Sequence, residues 1–207
     1  MPYWNELITE KSWEMLQELQ KKKIKFVLIG GWAAWLYTKA QKSRDIDIIV
    51  DFEELSKLKQ LFDLSKNERL HKYEFHMGEI DIDVYVGHFS KLSVPVEEAA
   101  KKTRRMEGFS VVEPEALLIL KQGAELARKE SEKGFKDRLD IMNLLLNAEI
   151  DFAEYNNMLQ KYNIPHLKQR LVEIVQGFRE GKYLDMNPAE LKRSRQALLE
   201  KIKGAKK

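Results

Sequence analysis

The chain has 207 residues, of which 43% are hydrophobic and 33% charged, with a formal net charge of +3 and no cysteine. That length and balance suit one sizeable core or two small ones, and they exclude a disordered polymer, disulfides, cysteine nucleophiles and thiolate metal sites. No apolar run approaches the roughly 20 residues of a membrane span. The opening "MPYWNELITEKSWEML" is acidic and amphipathic, unlike a secretory leader. The expectation is a cytoplasmic protein with no membrane partner.

In chain order, residues 5–22 set Leu7, Ile8, Met15, Leu16 and Leu19 on one stripe, which predicts an amphipathic helix. "IKFVLI" (24–29) predicts a buried strand stopped by Gly30 and Gly31, followed by a short helix over "WAAWLYTKA". "DIDIIV" (45–50) predicts a second strand, and a charged helix follows at about 52–62. "RLHKYEFHM" and "EIDIDVYV" predict a hairpin turned at Gly78. "VPVEEAAKK" reads as a loop with one helical turn, and "FSVVE" (109–113) as a short closing strand. From Glu115 the period changes to that of helices. One long helix is expected through Ala127, then others at about 136–147, 151–162 (with Asp151 as N-cap), 166–179 and 188–203. The boundary predicts an α/β domain over 1–113 and a helical domain over 114–207.

The chemistry concentrates in the first half. Side chains alternate along a strand, so Asp45 and Asp47 share one face while Ile46 and Ile48 enter the core. Two carboxylates about 6–7 Å apart repel unless a cation lies between them. A hard divalent ion with oxygen ligands, Mg²⁺ first, is the expected resident. The second strand repeats the design, with Ile80, Ile82, Val84 and Val86 facing inward and Asp81, Asp83 and Tyr85 facing the other way. If the two strands are neighbours, the acids converge and suffice for two metals that bridge nucleotide phosphates. Gly30 and Gly31 would let a phosphate approach the backbone at the start of a helix.

Taken together, "LIGGWAAWLYTKAQKSRDIDIIV" resembles the signature of the nucleotidyltransferase superfamily, the DNA polymerase beta-like fold. The resemblance covers roughly residues 24–90. It implies an α+β fold, a mixed sheet with flanking helices, followed here by the helical domain, with the active cleft between the two. It implies that Gly30 and Gly31 form the phosphate turn and that Asp45 and Asp47 bind metal. The third acid is either Asp81 or Asp83, and "IDVYV" favours Asp83. Further on, "VVEPEALLILKQGAELARKESEKGFKDRLDIMNLL" resembles AbiEii-like and other minimal nucleotidyltransferases, with Lys121 at a position that could meet a triphosphate. Lys136, Asp137 and Asp140 match the later cluster, for which a structural network is preferred over direct catalysis.

Other features read more plainly. Arg44 directly precedes the acid pair and should point away from it, yet it remains within reach of a phosphate. Trp32 and Trp35 read as core, and Tyr85 shares the carboxylate face. The four histidines show no zinc-like spacing. Leu191–Lys207 carries a net +6, leaving −3 for the first 190 residues. A solvated helix end is the simpler explanation, although a basic tail also suits RNA.

The resemblance thus implies transfer of NMP from an NTP to a hydroxyl of RNA (a tRNA end among the candidates), a protein or a small molecule. Pyrophosphate is released and two Mg²⁺ ions serve as cofactor, with Mn²⁺ as substitute. Two alternatives stand beside it: the toxin of an AbiEii-like pair with a cognate antitoxin protein, and a nucleotide-binding module without turnover.

Overall fold

The computed structural model describes residues 4–204, which form two compact units divided between Glu113 and Pro114. The first unit is α+β. It contains helices α1 (Glu6–Lys21), α2 (Gly30–Thr38), α3 (Phe52–Leu61) and α4 (Val96–Lys101). Its strands are β1 (Val27–Ile29), β2 (Ile46–Ile49), β3 (Ser65–Asn67), β4 (Lys72–Met77), β5 (Ile80–Tyr85), β6 (Thr103–Met106) and β7 (Phe109–Val112). They form one sheet in the order β3-β4-β5-β2-β1-β7-β6. The β2–β5 and β1–β7 pairs are parallel and the remainder antiparallel, so the sheet is mixed.

Alternation builds the core of this unit. Leu28, Ile46, Ile48, Ile82, Val84 and Val111 are fully buried, each burial stabilising by about 1.5–3 kcal/mol. Helix α1 begins where the Asn5 side chain accepts the Leu7 N–H, and it buries Leu16 and Leu19. Helix α2 is apolar on every side and therefore lies deep: Trp32 is fully buried and its indole N–H donates to Ser12 Oγ at 2.9 Å. Trp13 lies against both Trp32 and Trp35, at ring-centroid distances of 5.0 and 5.1 Å. Trp32 is thus core, as its helical spacing suggests, whereas Trp35 is only half-buried and has the Lys39 ammonium 4.0 Å from its ring centroid.

Several boundaries move from where the pattern places them. Strand β1 begins at Val27 because residues 24–26 are engaged elsewhere. Lys23 is left-handed at φ 59°, the Ile24 N–H returns to Leu19 C=O, and the Lys25 N–H donates to Glu54 Oε2 at 3.1 Å. Helix α2 starts at the glycine pair itself and stops at a left-handed Lys39. The β4–β5 hairpin turns through Gly78 at φ +62°, and its register sets Met77 opposite Ile80 and Glu74 opposite Asp83. Strands β3 and β6 are additions to the expected elements.

The second unit is all helical: α5 (Pro114–Arg128), α6 (Glu132–Asn147), α7 (Phe152–Lys161), α8 (His166–Gly177) and α9 (Pro188–Gly204), with a 3₁₀ turn at Gly181–Leu184. Ser131 caps α6 by accepting the Gly134 N–H, and Asp151 caps α7 by accepting from Ala153 and Glu154. Leu117, Leu118, Leu139, Met142, Tyr155, Leu171, Val175 and Ile202 fill its interior. Among the described residues, no helix is long and apolar enough to cross a membrane.

Candidate active site

Three adjacent strands, β4, β5 and β2, carry a row of carboxylates. In the parallel β2–β5 pair Asp47 lies in register with Asp83, and in the β4–β5 hairpin Glu74 lies opposite Asp83 on the other side. Asp83 is therefore flanked by an acid on each neighbouring strand. Its side chain is 19% exposed. Burial, and then the charge of Asp47, push its carboxyl up to about 6, against the pull of Lys72.

The glycine turn closes onto this row. Ile29 is the register partner of Asp47, so Gly30 follows directly beside that carboxylate. Gly30 has φ +69°, and a Cβ placed there would stand 2.0 Å from Asp47 Oδ2. At Gly31 a Cβ would stand 2.4 Å from Ser43 Oγ. Both glycines are thus required by what packs on them: one leaves room for a metal-candidate carboxylate, the other for the hydroxyl two residues before Asp45. Helix α2 begins at the same point, so its free N–H groups and positive dipole end lie beside Asp47.

Cationic side chains already meet these acids. Lys72 Nζ is 2.6 Å from Asp83 Oδ1 and 3.1 Å from Glu74 Oε2. Burial alone would lower the Lys72 pKa, but the two carboxylates more than offset it and hold the ammonium above its usual range. Arg44 turns toward the acids, against its expected direction: its Nε is 3.5 Å from Asp45 Oδ1 and its Nη2 4.0 Å from Asp81 Oδ2. At position 44 the chain has not yet entered β2, so strand alternation does not fix the side chain. Tyr85 shares the carboxylate face as expected and donates its hydroxyl to Asp47 Oδ1 at 3.4 Å. Asp81 sits nearer solvent, its side chain 42% exposed and 2.7 Å from His76 Nδ1.

Carboxylate oxygens at Asp45, Asp47 and Asp83 are the donor chemistry a hard divalent cation takes; burial first, and then the charge of Asp47, raises the Asp83 carboxyl, and such an ion would relieve the second of these. Among the described residues no three His, Cys, Asp or Glu side chains come together as a ready metal cluster. The register pair Asp47–Asp83 is the closest thing to a seat, and Lys72 holds its Asp83 member. A cavity of about 780 Å³ elsewhere in this unit is lined by Val27, Ile49, Phe109 and neighbours but by none of these acids, so it is not the site.

The later cluster forms a buried network within the helical unit. Lys121 Nζ is 2.8 Å from Asp140 Oδ2 and 3.4 Å from Asp137 Oδ1, Arg128 Nε is 2.8 Å from Asp137 Oδ2, and Lys136 pairs with Asp140 one turn on. Lys121, Lys136, Asp137 and Asp140 are all at most 8% exposed. Lys121 is thereby occupied by carboxylates. Burial pulls the Lys136 pKa down, while Lys121 and Lys136 overcome burial to keep Asp140 low.

Sequence reasoning passed over Lys72 and Ser43. Lys72 was legible: a two-residue turn at Gly78-Glu79 fixes Glu74 opposite Asp83, and a lysine two positions earlier on β4 shares that face. Ser43 had no signal, because its role depends on how the loop before β2 folds back onto Gly31.

No family model matches the chain, and no curated protein matches it either. Solved structures do. A candidate nucleotidyltransferase from H. pylori superposes with TM-score 0.55 at 14% identity, covering 99% of this chain and 100% of that one. JHP933 from Helicobacter pylori gives 0.53 at 13% identity, covering 97% and 95%. ANT(2″)-Ia in complex with adenylyl-2″-tobramycin gives 0.51 at 11% identity, covering 76% of this chain and 98% of that one. The chain has the nucleotidyltransferase fold.

Proposed function

We propose that the protein is a metal-dependent nucleotidyltransferase that moves NMP from an NTP to a hydroxyl acceptor and releases pyrophosphate. The observation that carries this reading is the placement of Asp47 in parallel register with Asp83, with the Gly30 backbone pressed against Asp47. A strand acid, a neighbouring acid and a helix N-terminus at one point suit the binding of a phosphate chain and its counter-ion.

Each residue then has a distinct task. The α2 N–H groups after Gly30 and Gly31 take the phosphates, and Arg44, already against Asp45 and Asp81, adds a guanidinium just before the strand. Asp45, Asp47 and Asp83 would hold Mg²⁺, or Mn²⁺ in its place, which when bound neutralises charge on the phosphates and lowers the pKa of a coordinated hydroxyl. Asp83 is also the base in this reading. It takes the acceptor's proton as the hydroxyl oxygen attacks the α-phosphorus and the bond to the β-phosphate oxygen breaks. Tyr85 steadies Asp47. Lys121, held by Asp137 and Asp140, is better supported as part of their network than as a phosphate ligand.

For the acceptor, α9 favours RNA. Lys192, Arg193, Lys201 and Lys203 are exposed along it, whereas Arg195 turns inward and donates to the C-terminal carbonyls of α8. The adenylated tobramycin bound to ANT(2″)-Ia makes a small-molecule hydroxyl the next acceptor to try. A toxin controlled by an antitoxin protein would share this chemistry, and a silent binding module would lack turnover. The test uses each NTP labelled at the α-phosphate, with Mg²⁺ and total cellular RNA, against the Asp45→Asn, Asp47→Asn double variant. Label entering RNA only with the unaltered protein supports the proposal. Nucleotide binding without transfer, on every acceptor tried, overturns it in favour of the binding module.

A further inference from the structure

The acid row contains a lysine that the proposed chemistry does not use. Asp47, Asp83 and Glu74 stand side by side on β2, β5 and β4, and the ammonium of Lys72 bridges the last two at 2.6 and 3.1 Å. The Lys72 side chain is only 12% exposed, so this ammonium is built into the site rather than draped over it. Removing one partner of such a buried pair leaves an uncompensated charge, which is costly. Yet Asp83 is also the acid that the nucleotidyltransferase reading assigns to a divalent cation. One carboxylate cannot serve both cations at full strength.

We propose, resting on that reading, that Lys72 is a resident substitute for the divalent ion: it neutralises Asp83 in the metal-free protein and must leave Asp83 for the ion to bind. Glu74 is the place it leaves to. Lys72 already touches Glu74, and a lysine on a four-carbon stem can transfer its weight from one carboxylate to the other without a backbone change. The arrangement keeps the acid row folded without metal and weakens metal binding until the nucleotide phosphates add their own charge.

The test measures Mn²⁺ affinity by titration calorimetry at pH 8 without nucleotide. Lys72→Met should bind Mn²⁺ about tenfold tighter than the unaltered protein and melt at a lower temperature, with Mn²⁺ restoring most of the loss. Lys72→Arg should stay close to the unaltered affinity. Glu74→Gln, in which Lys72 remains but has only Asp83 to hold, should bind Mn²⁺ several-fold more weakly; this variant decides the matter if Lys72→Met does not fold. Equal or weaker binding in Lys72→Met, or tighter binding in Glu74→Gln, overturns the proposal while leaving the metal site standing. Asp83→Asn separates the two ideas. If it binds Mn²⁺ as tightly as the unaltered protein, or if no variant binds at all, Asp83 is not a metal ligand, and the site reading falls with the proposal.

Discussion

Two carboxylate clusters, one in each unit, have similar composition and opposite electrostatics. In the helical unit Asp137 and Asp140 are met by Lys121, Lys136 and Arg128, and Asp140 is held below the usual carboxylate range despite complete burial. In the α+β unit Asp83 is met by one lysine but flanked by Asp47 and Glu74, and burial first, then the charge of Asp47, pushes its carboxyl up. A neutralised cluster is what a fold needs from its buried acids. A cluster with excess negative charge costs stability, and such a cost is a common mark of a functional site. The contrast separates a neutralised scaffold from a candidate site more sharply than the motif does, since both clusters read as Asp-rich segments of hydrophobic strands or helices.

The largest effect should come from the acid row. Asp47→Asn should cut NMP transfer by about a thousandfold or more, equivalent to about 4 kcal/mol of transition-state stabilisation, while the melting temperature stays level or rises. Single-turnover kinetics with labelled NTP, run beside a thermal melt, give both numbers. Unfolding in place of inactivation would mean that Asp47 is structural after all, and the comparison would collapse. The matching change in the other cluster, Asp140→Asn, should do the reverse. It leaves Lys121 and Lys136 buried with reduced compensation and should cost about 3–5 kcal/mol of stability, read by denaturant unfolding. Whatever fraction remains folded should keep its NTP affinity.

Gly30→Ala should have an intermediate effect, and of both kinds. A left-handed backbone at φ +69° costs a non-glycine residue about 1–3 kcal/mol, and the new methyl would also displace the Asp47 carboxylate. Stability should fall by that amount and transfer should fall further than stability explains. Gly78→Ala, also at positive φ but with open space around its Cβ, should lose stability alone. Equal activity losses in the two variants would detach the glycine turn from the site.

How much of this was legible follows from which residues carry a local signal. The central strands were readable because β2 and β5 alternate isoleucine or valine with acid, and β1 is a run of apolar residues ended by Gly-Gly. Strands β3 (Ser65–Asn67) and β6 (Thr103–Met106) lie at the two edges of the sheet and contain almost no apolar residue, so no period of two exists to find. Their order comes from pairing, which is a tertiary fact. At the site, the acids Asp45, Asp47 and Asp83 were readable as residue types and the glycine pair as a turn, but not the packing of Asp47 and Ser43 that requires those glycines. Among the partners, Lys72 was within reach through the hairpin register that the Gly78 turn sets, whereas Ser43 required the path of a loop and Arg44 a side-chain direction that alternation does not set outside a strand. The Lys121–Asp140 pairing connects α5 to α6 and depends on how those helices pack.

The smallest predicted effect is the most direct reading of the contrast, because the two clusters should respond to acid with opposite sign. Asp83 has a folded-state pKa of about 6 against an ordinary 3.8, so the folded protein binds that proton more tightly than the unfolded chain. Its contribution to stability is therefore most favourable below about pH 4, declines as pH rises toward 6, and is constant above. Asp140 and Glu125 run the other way. Burial would raise both, but Lys121 and Lys136 hold the first low and Arg170 and Arg138 the second. Their stabilisation is complete above the unfolded carboxylate range and is lost only as pH falls below about 4. Metal-free hydrogen exchange, corrected for intrinsic rates and resolved by peptide, should show protection in β2 and β5 falling from pH 4 to pH 6 while α5 and α6 stay level. Asp83→Asn should flatten the first trend and leave the second alone. A slope in β5 that survives Asp83→Asn would assign the strain to some other group, and the difference between the clusters would then not be the charge excess at Asp83.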